Sequence, residues 1–71
     1  MIFVTLRVRR PKGMKGADLF VSGLVKRADA RTVTLEVEHH ATGPWDRDSV
    51  STVTIERWRI RRASKEIPET V

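Results

Sequence analysis

The chain has 71 residues, no cysteine, and 14 lysine and arginine residues against 9 aspartate and glutamate residues, which gives a formal net charge of +5. The lack of cysteine excludes disulfides and cysteine-ligated zinc, and no apolar run approaches the roughly 20 residues that a membrane-spanning helix needs. The N-terminus also lacks the apolar core of a signal peptide, so we expect one small cytoplasmic domain without a membrane partner.

The first predicted element is a β-strand at the start of the chain. Polar or aromatic residues alternate there with the apolar residues Ile2, Val4, Leu6 and Val8. A period of two is typical of a strand that buries one face. Proline and glycine interrupt the pattern over residues 10–18, which are therefore predicted to form a loop.

Two further strands are predicted to form a hairpin. The second strand covers residues 19–26, and Gly23 within it indicates a bend or a bulge. A short polar connection around Asp29 follows. Residues 32–38 then give the clearest alternation in the chain, with the apolar side chains of Val33, Leu35 and Val37 on one face.

The last predicted strand, over residues 50–61, has an irregular pattern of β-branched and aromatic residues. One parity of the alternation holds Val53 and Ile55, and the other holds Trp58 and Ile60. A single flat strand cannot bury all four on one face. We therefore expect either a bulge near residues 56 and 57 or a bend that lets the strand serve two sides of a curled sheet.

Two other segments are predicted to be irregular. Residues 39–49 contain Gly43 and Pro44 and are predicted to form a loop. Residues 63–71 contain Pro68 and show no period, so we expect a short turn followed by a frayed C-terminal tail. The folded domain is accordingly expected to span residues 1–62.

Four or five short antiparallel strands with one tight hairpin predict an all-β fold, a small and strongly bent barrel, because closure removes exposed strand edges. The segments that define it are Val-Ser-Gly-Leu-Val at 21–25, the polar turn around Asp29, Thr-Val-Thr-Leu-Glu-Val at 32–37 and Ser-Thr-Val-Thr-Ile at 51–55. Over roughly residues 20–60 this arrangement resembles SH3-like and Sm-like barrels. The resemblance implies a fold that serves RNA, DNA or peptide binding, and the fold alone does not choose among them.

Positive charge is concentrated in two stretches of the chain. The first stretch holds Arg7, Arg9, Arg10, Lys12 and Lys15, and the second holds Arg57, Arg59, Arg61, Arg62 and Lys65. If the first and last strands pair, arginines at two-residue spacing form one ladder of guanidinium groups. Arginine suits phosphate because its planar fork donates two parallel hydrogen bonds and its plane stacks on bases. The alternative is that these side chains are only the solvated face of exposed strands.

All of these cations except Lys65 are predicted to contact nucleic acid. Trp45 lies in the loop over residues 39–49, where a tryptophan has less reason to be buried, and is a predicted stacking partner for a base. The other aromatic residues, Phe3, Phe20 and Trp58, are expected to complete the core.

A metal site and a catalytic site are not predicted. His39 and His40 are adjacent, and adjacent residues of a strand point to opposite faces, so the two histidines cannot both face one ion. The serines lack a glycine-framed nucleophile motif, and no carboxylate pair has a recognisable spacing. We therefore expect a protein that is not an enzyme and has no cofactor.

Two functions remain open at the level of sequence. The first is a nucleic-acid-binding barrel whose arginine-rich strands contact phosphates. The second is a protein-interaction or assembly module whose working contacts are Phe20, Leu24 and Trp45. A homo-oligomer is compatible with both, because a partner subunit would cover apolar side chains on the outer face of the strands.

Overall fold

Five antiparallel strands form one sheet in the computed structural model, which describes residues 1–71. The strands are β1 (Phe3–Val8), β2 (Leu19–Ala28), β3 (Thr32–His39), β4 (Ser49–Glu56) and β5 (Ile60–Ala63), and a 3-10 turn (Arg57–Arg59) joins β4 to β5. Their order across the sheet is β4-β3-β2-β1-β5. The prediction of an all-β antiparallel fold is confirmed. The chain contains no helix with the length and apolar content that a bilayer crossing requires.

The sheet does not close into the complete ring of a barrel, and its pairing is irregular in β2, where the register with β3 shifts between Val25 and Arg27. β2 pairs with β1 through residues 19–24 and with β3 through residues 24–28, so its two halves serve different parts of the sheet. β4 and β5 are the two edge strands. The chain passes from one edge to the other through the 3-10 turn, where the backbone N–H of Arg57 donates to the carbonyl of Arg31 at 2.8 Å.

The alternation of the sequence determines which side chains are buried. In β1, Val4, Leu6 and Val8 are buried, while the residues between them are exposed. Five more buried apolar residues come from the other strands, namely Val25, Ala28, Val33, Leu35 and Ile55. A core of 8 residues is thin, and each fully buried aliphatic side chain larger than alanine stabilises the fold by about 1.5–3 kcal/mol. Local contacts in turns and termini therefore matter more than in a larger domain.

The 3-10 turn explains the phase change in the predicted last strand. The prediction of one continuous strand over residues 50–61 is wrong between residues 57 and 59, although the irregularity lies where the pattern placed it. The turn lets Ile55 of β4 enter the core and lets Ile60 of β5 pack against the same core. Trp58, which was expected in the core, lies in the turn and is 54% exposed, and its ring N–H donates to a carboxylate oxygen of Glu56 at 2.8 Å.

The C-terminal segment is bound to the domain, and the expectation that it frays is wrong. Ala63 belongs to β5 and lies opposite Leu6. Ile67 packs against the core, and the backbone N–H of Val71 donates to the carbonyl of Ala28 at 3.1 Å. These contacts cover part of the inner face of the sheet, which a thin core cannot leave exposed.

The turn between β2 and β3 is organised by one carboxylate. Oδ1 of Asp29 accepts hydrogen bonds from the backbone N–H groups of Thr32 and Arg31, both at 2.8 Å. The hydrogen bond from Thr32 has the larger effect and that from Arg31 the next, and both hold the pKa of Asp29 below its ordinary value. A side chain that satisfies turn amides in this way favours the turn conformation.

We expect Asp29→Ala to lower Tm at neutral pH, because two turn amides lose their acceptor. A carboxylate whose pKa is lowered by folding stabilises the protein above its unfolded pKa of about 3.9, and this contribution is lost as the pH falls through the lowered value. The difference in Tm between wild type and variant should therefore be largest near neutral pH and shrink in acid. Thermal unfolding by circular dichroism checks this. A difference in Tm that is as large at the lowest pH where the wild type folds as at neutral pH would contradict this role of Asp29.

Gly23 should be intolerant of any side chain. A Cβ atom at this position would lie 2.4 Å from the backbone carbonyl oxygen of Glu36, where β2 and β3 approach closely. We expect Gly23→Ala to destabilise the domain by about 1–3 kcal/mol, the range for overpacking a well-packed site. The matched control is Gly43→Ala, since the nearest atom there is 3.8 Å away. Urea unfolding should separate the two variants, and equal stabilities would contradict the close approach.

Candidate nucleic-acid interface

The pairing of β1 with β5 brings the two basic stretches of the sequence together. Arg7 lies opposite Arg62, and Val8 lies opposite Ile60, with a register shift between them. The first and last strands therefore pair, which is the condition on which the predicted ladder of guanidinium groups depended. The shift leaves Arg61 as an extra residue in β5, which gives its side chain a direction that a regular strand would not allow.

The predicted ladder of Arg57, Arg59 and Arg61 is wrong, because the first two lie in the 3-10 turn and not in a strand. Arg57 is half-buried and holds the fold together. Its Nε donates to the carbonyl of Asp29 at 2.7 Å, and one terminal nitrogen donates to the carbonyl of Pro68 at 2.6 Å. This guanidinium joins the β2–β3 turn to the C-terminal segment, so it is a structural residue.

Arg59 fastens the β1–β2 loop to the 3-10 turn. Its Nε donates to the carbonyl of Arg9 at 3.0 Å, and the backbone N–H of Arg9 donates to the carbonyl of Arg59 at 2.7 Å. These two hydrogen bonds hold the backbones of Arg9 and Arg59 side by side. As a result, the basic loop and the basic turn form the two walls of one surface feature.

That feature is a groove of about 590 Å³, here called the basic groove. The charged side chains that line it are Arg9, Arg10, Lys12, Arg61 and Asp18. Four of these five are cations, and the groove also contains the exposed ring of Trp58. A concave surface lined by one sign of charge concentrates counter-ions, and phosphate groups are counter-ions of this kind.

The loop that supplies the groove has an ordered conformation. The Nε of Arg10 donates to the carbonyl of Ala17 at 2.9 Å, and the backbone N–H of Met14 donates to the carbonyl of Pro11 at 3.1 Å. Gly16 has a φ of +133°, and a Cβ there would lie 2.8 Å from the Nε of Arg10. Only glycine at this position lets the Arg10 side chain lie across the loop.

Asp18 connects the basic groove to the outer face of the sheet. Its Oδ2 lies 2.9 Å from the Nε of Arg7 and 2.9 Å from the Nε of Arg61. The aspartate side chain is only 15% exposed, whereas the two arginine side chains are about half exposed. One carboxylate therefore positions two guanidinium groups and still leaves an excess positive charge at the surface.

Arg7 and Arg62 line a second, smaller depression on the outer face of the sheet. It has a volume of about 240 Å³ and also includes Thr5, Ser64 and Phe20. We call it the Phe20 depression. Phe20 is 73% exposed, so the expectation that it completes the core is wrong, and Phe3 is exposed as well.

Four predicted site residues line neither surface, namely Arg57 and Arg59 of the 3-10 turn together with Lys15 and Trp45. Lys15 is exposed in the β1–β2 loop but does not line the groove. Trp45 is 93% exposed, as its loop position indicated, yet it lies in the β3–β4 loop and lines neither the groove nor the Phe20 depression.

Sequence reasoning missed Trp58 and Phe20 as members of the interface. For Phe20 a signal was present, since it has the parity opposite to Val21 and Val25, whose side chains point inward. For Trp58 the only signal was its position between Arg57 and Arg59. The alternating pattern predicted that Trp58 lies in a strand with its side chain on the inner face. The residue lies in a 3-10 turn instead, where alternation does not apply.

The other half of the outer face has the opposite character. A depression of about 430 Å³ is lined there by Phe3, Leu24, Ser22, Glu36, Glu38 and His40. No group of three histidine, aspartate or glutamate side chains in the chain is arranged to hold a metal ion. Lys26 pairs with Glu36 at 3.1 Å, whereas Glu38 has no lysine or arginine partner, so its carboxylate makes this half a poor surface for phosphate. The two halves meet where Thr5 Oγ1 and Ser22 Oγ lie 2.9 Å apart.

Comparison with protein-family models, with curated proteins and with solved structures gives no match for this chain.

The charge around Trp58 should be detectable by fluorescence quenching. In a Trp45→Phe variant, Trp58 is the only tryptophan, and we expect iodide to quench it at least about twofold more effectively than caesium at low ionic strength, because the groove attracts anions. Added salt should remove the preference. The control is Trp58→Phe, in which Trp45 reports from a loop of mixed charge. An equal response of Trp58 to both ions would contradict the electrostatics of the groove.

Proposed function

We propose that this protein binds nucleic acid through the basic groove, in which Arg9, Arg10, Lys12 and Arg61 contact backbone phosphates and Trp58 stacks on a base. The observation that supports this most is the convergence of residues from distant parts of the sequence on one concave surface. A cationic groove with an aromatic platform is the combination that non-specific nucleic-acid binding uses.

The hydrogen bonds of the arginines favour this function. Arg10 in the groove and Arg7 beside it each donate to the protein through Nε, while their terminal NH₂ groups make no hydrogen bond within the chain. An arginine fixed through Nε has lost part of its conformational freedom before any ligand arrives. Its two terminal groups can still donate to a phosphate, so less entropy is lost on binding.

The charge distribution supports the same proposal. The net charge is +5, and several acidic residues, among them Glu36, Glu38, Asp46 and Asp48, lie in or between β3 and β4, away from the basic groove. This separation gives the molecule a basic side and an acidic side. A polyanion is attracted to the basic side at long range and is oriented before contact, and salt weakens this attraction.

A second function, protein interaction or assembly, has one observation in its favour. Phe3 and Leu24 lie beside Glu36 and Glu38 in the acidic depression of the outer face. Such a surface is suited to an apolar and basic segment of a protein, and a second copy of this chain could supply one. Phe20 and Leu24 lie on the same face of β2, whereas Trp45 lies apart from them.

A pair of double variants with the same change in net charge tests the nucleic-acid proposal. Arg9→Ala with Lys12→Ala removes two groove cations that have no ion pair in the fold, and Arg27→Ala with Arg47→Ala removes two exposed arginines outside the groove. Affinity for labelled oligonucleotides is measured by fluorescence anisotropy at several salt concentrations. We expect the groove variant to flatten the log-log salt dependence by about 1.4, or about 0.7 for each phosphate contact to a single strand, and the control to leave it nearly unchanged.

Equal effects of the two double variants would mean that net charge alone drives binding, and the groove would lose its role. No binding of the wild type to any oligonucleotide at low salt would overturn the function itself. The search would then turn to protein partners of the acidic depression, and light scattering would show whether a second copy of the chain is one of them.

A further inference from the structure

We infer that the ligand is single-stranded nucleic acid and that the Phe20 depression binds one unpaired nucleotide, with the base on the ring of Phe20 and a phosphate between Arg7 and Arg62. This inference rests on the proposed function and specifies it. It assigns a second contact site on the outer face of the sheet, outside the basic groove.

The register of three strands places the necessary groups in one row. Arg7 of β1 lies opposite Phe20 of β2 on one side and opposite Arg62 of β5 on the other. Side chains at directly opposite positions on one face have Cβ atoms about 4.5–5.5 Å apart. An aromatic ring and two guanidinium groups therefore stand next to each other, which is the spacing of a base and its own phosphate.

The cations of this row are available to a ligand. Arg62 has no ion pair within the chain, and Arg7 is held through its Nε by Asp18. Ser64 adds a neutral donor, because its Oγ already accepts the backbone N–H of Thr5 at 2.9 Å and its O–H remains free to donate. Three residues that line the depression therefore have donors for one anion.

The depression is small, and its size limits the ligand. Its volume is about 240 Å³, whereas sites that enclose a whole drug-sized ligand or cofactor occupy about 300–1,000 Å³. A single planar group that lies on an exposed ring fits this limit. Phe20 is among the most exposed aromatic side chains of the chain, and a base that stacks on it would remove that apolar surface from water.

The presence of two separate aromatic platforms points to an unpaired strand. Trp58 lies in the basic groove and Phe20 in the depression, and the shared ion pairs of Asp18 with Arg61 and Arg7 connect the two sites. In a duplex the faces of the bases stack on one another and cannot reach either ring. An extended single strand can place one base on each platform, with its phosphates along the arginines between them.

The polarity of the sheet face also limits the length of the contact. Beyond the hydroxyl pair of Thr5 and Ser22, the face carries Glu36, which is paired with Lys26, and Glu38, whose charge no lysine or arginine neutralises. Phosphates would be repelled there, so the strand is expected to end its contacts at the Phe20 depression. Phe3 is also exposed, but it lies on the acidic side of this boundary, and it therefore serves as the matched control for Phe20.

The test compares Phe20→Ala with Phe3→Ala in anisotropy titrations of labelled oligodeoxythymidine, oligouridine, an abasic strand of the same length and a mixed-sequence duplex. We expect the wild type to bind a single strand more tightly than the duplex, although the duplex has the higher charge density. Phe20→Ala should weaken binding of the single strands about tenfold, with an unchanged salt slope, because a stacking contact and no phosphate contact is lost. Phe3→Ala should change the affinity less than about twofold.

Three further results complete the test. Phe20→Tyr should bind like the wild type, Phe20→Ala should bind the abasic strand as the wild type does, and Arg62→Ala should flatten the salt slope by about 0.7. Since Phe20 is largely exposed, the alanine variant is expected to fold, and its Tm verifies this. Salt-dependent binding that favours the duplex, or that is indifferent to Phe20→Ala, would overturn this inference and leave the proposed function intact. Absence of any binding would overturn both.

Discussion

The antiparallel pairing of β1 with β5 is the interaction on which the surface of this protein depends. β1 is an inner strand, with β2 on one side and the edge strand β5 on the other, and it supplies three of the eight buried core residues. The same pairing carries the second basic stretch across to the first. Without it, Arg61 and Arg62 would not meet the β1–β2 loop, and neither the basic groove nor the Phe20 depression would exist. Stability and proposed function thus share one contact between distant parts of the sequence.

Much of the fold could be predicted because one physical rule, burial of alternate residues, decides it. The buried residues of β1 and β3 are those that the alternation selects, and the hairpin between β2 and β3 follows from the polar turn at Asp29. Sequence reasoning failed where another rule operates. The 3-10 turn at residues 57–59 changes the direction of three side chains. Its residue types do not differ from those of the flanking strands, so a periodic pattern cannot reveal it. The failed arginine ladder and the misplaced Trp58 both result from this one turn.

The errors at the aromatic residues have a different physical origin. Phe3 and Phe20 were expected in the core because large apolar side chains usually stabilise a fold by burial. Their parity placed them on the outer face, and the structure follows the parity. The backbone register therefore outweighs the gain from burying a single ring, since a slip of one residue would expose Val4, Leu6 and Val8 instead. For Phe20, exposure beside two arginines is a local conflict with the usual burial of aromatic residues, and the proposed stacking role would account for it.

The division of the outer face into a basic half and an acidic half suggests why the two candidate functions need not compete for the same residues. Arg7, Arg62 and Phe20 are on one side of the Thr5 and Ser22 hydroxyl pair, and Glu36 and Glu38 are on the other. Under the proposed function, a nucleic-acid strand on the basic half would be repelled by the carboxylates of the acidic half. The same carboxylates would repel a second polyanion but attract a basic segment of a protein. In a chain with so small a core, the exposed face of one sheet carries this separation of charge, and under the proposed function the basic half is the place where a strand would bind.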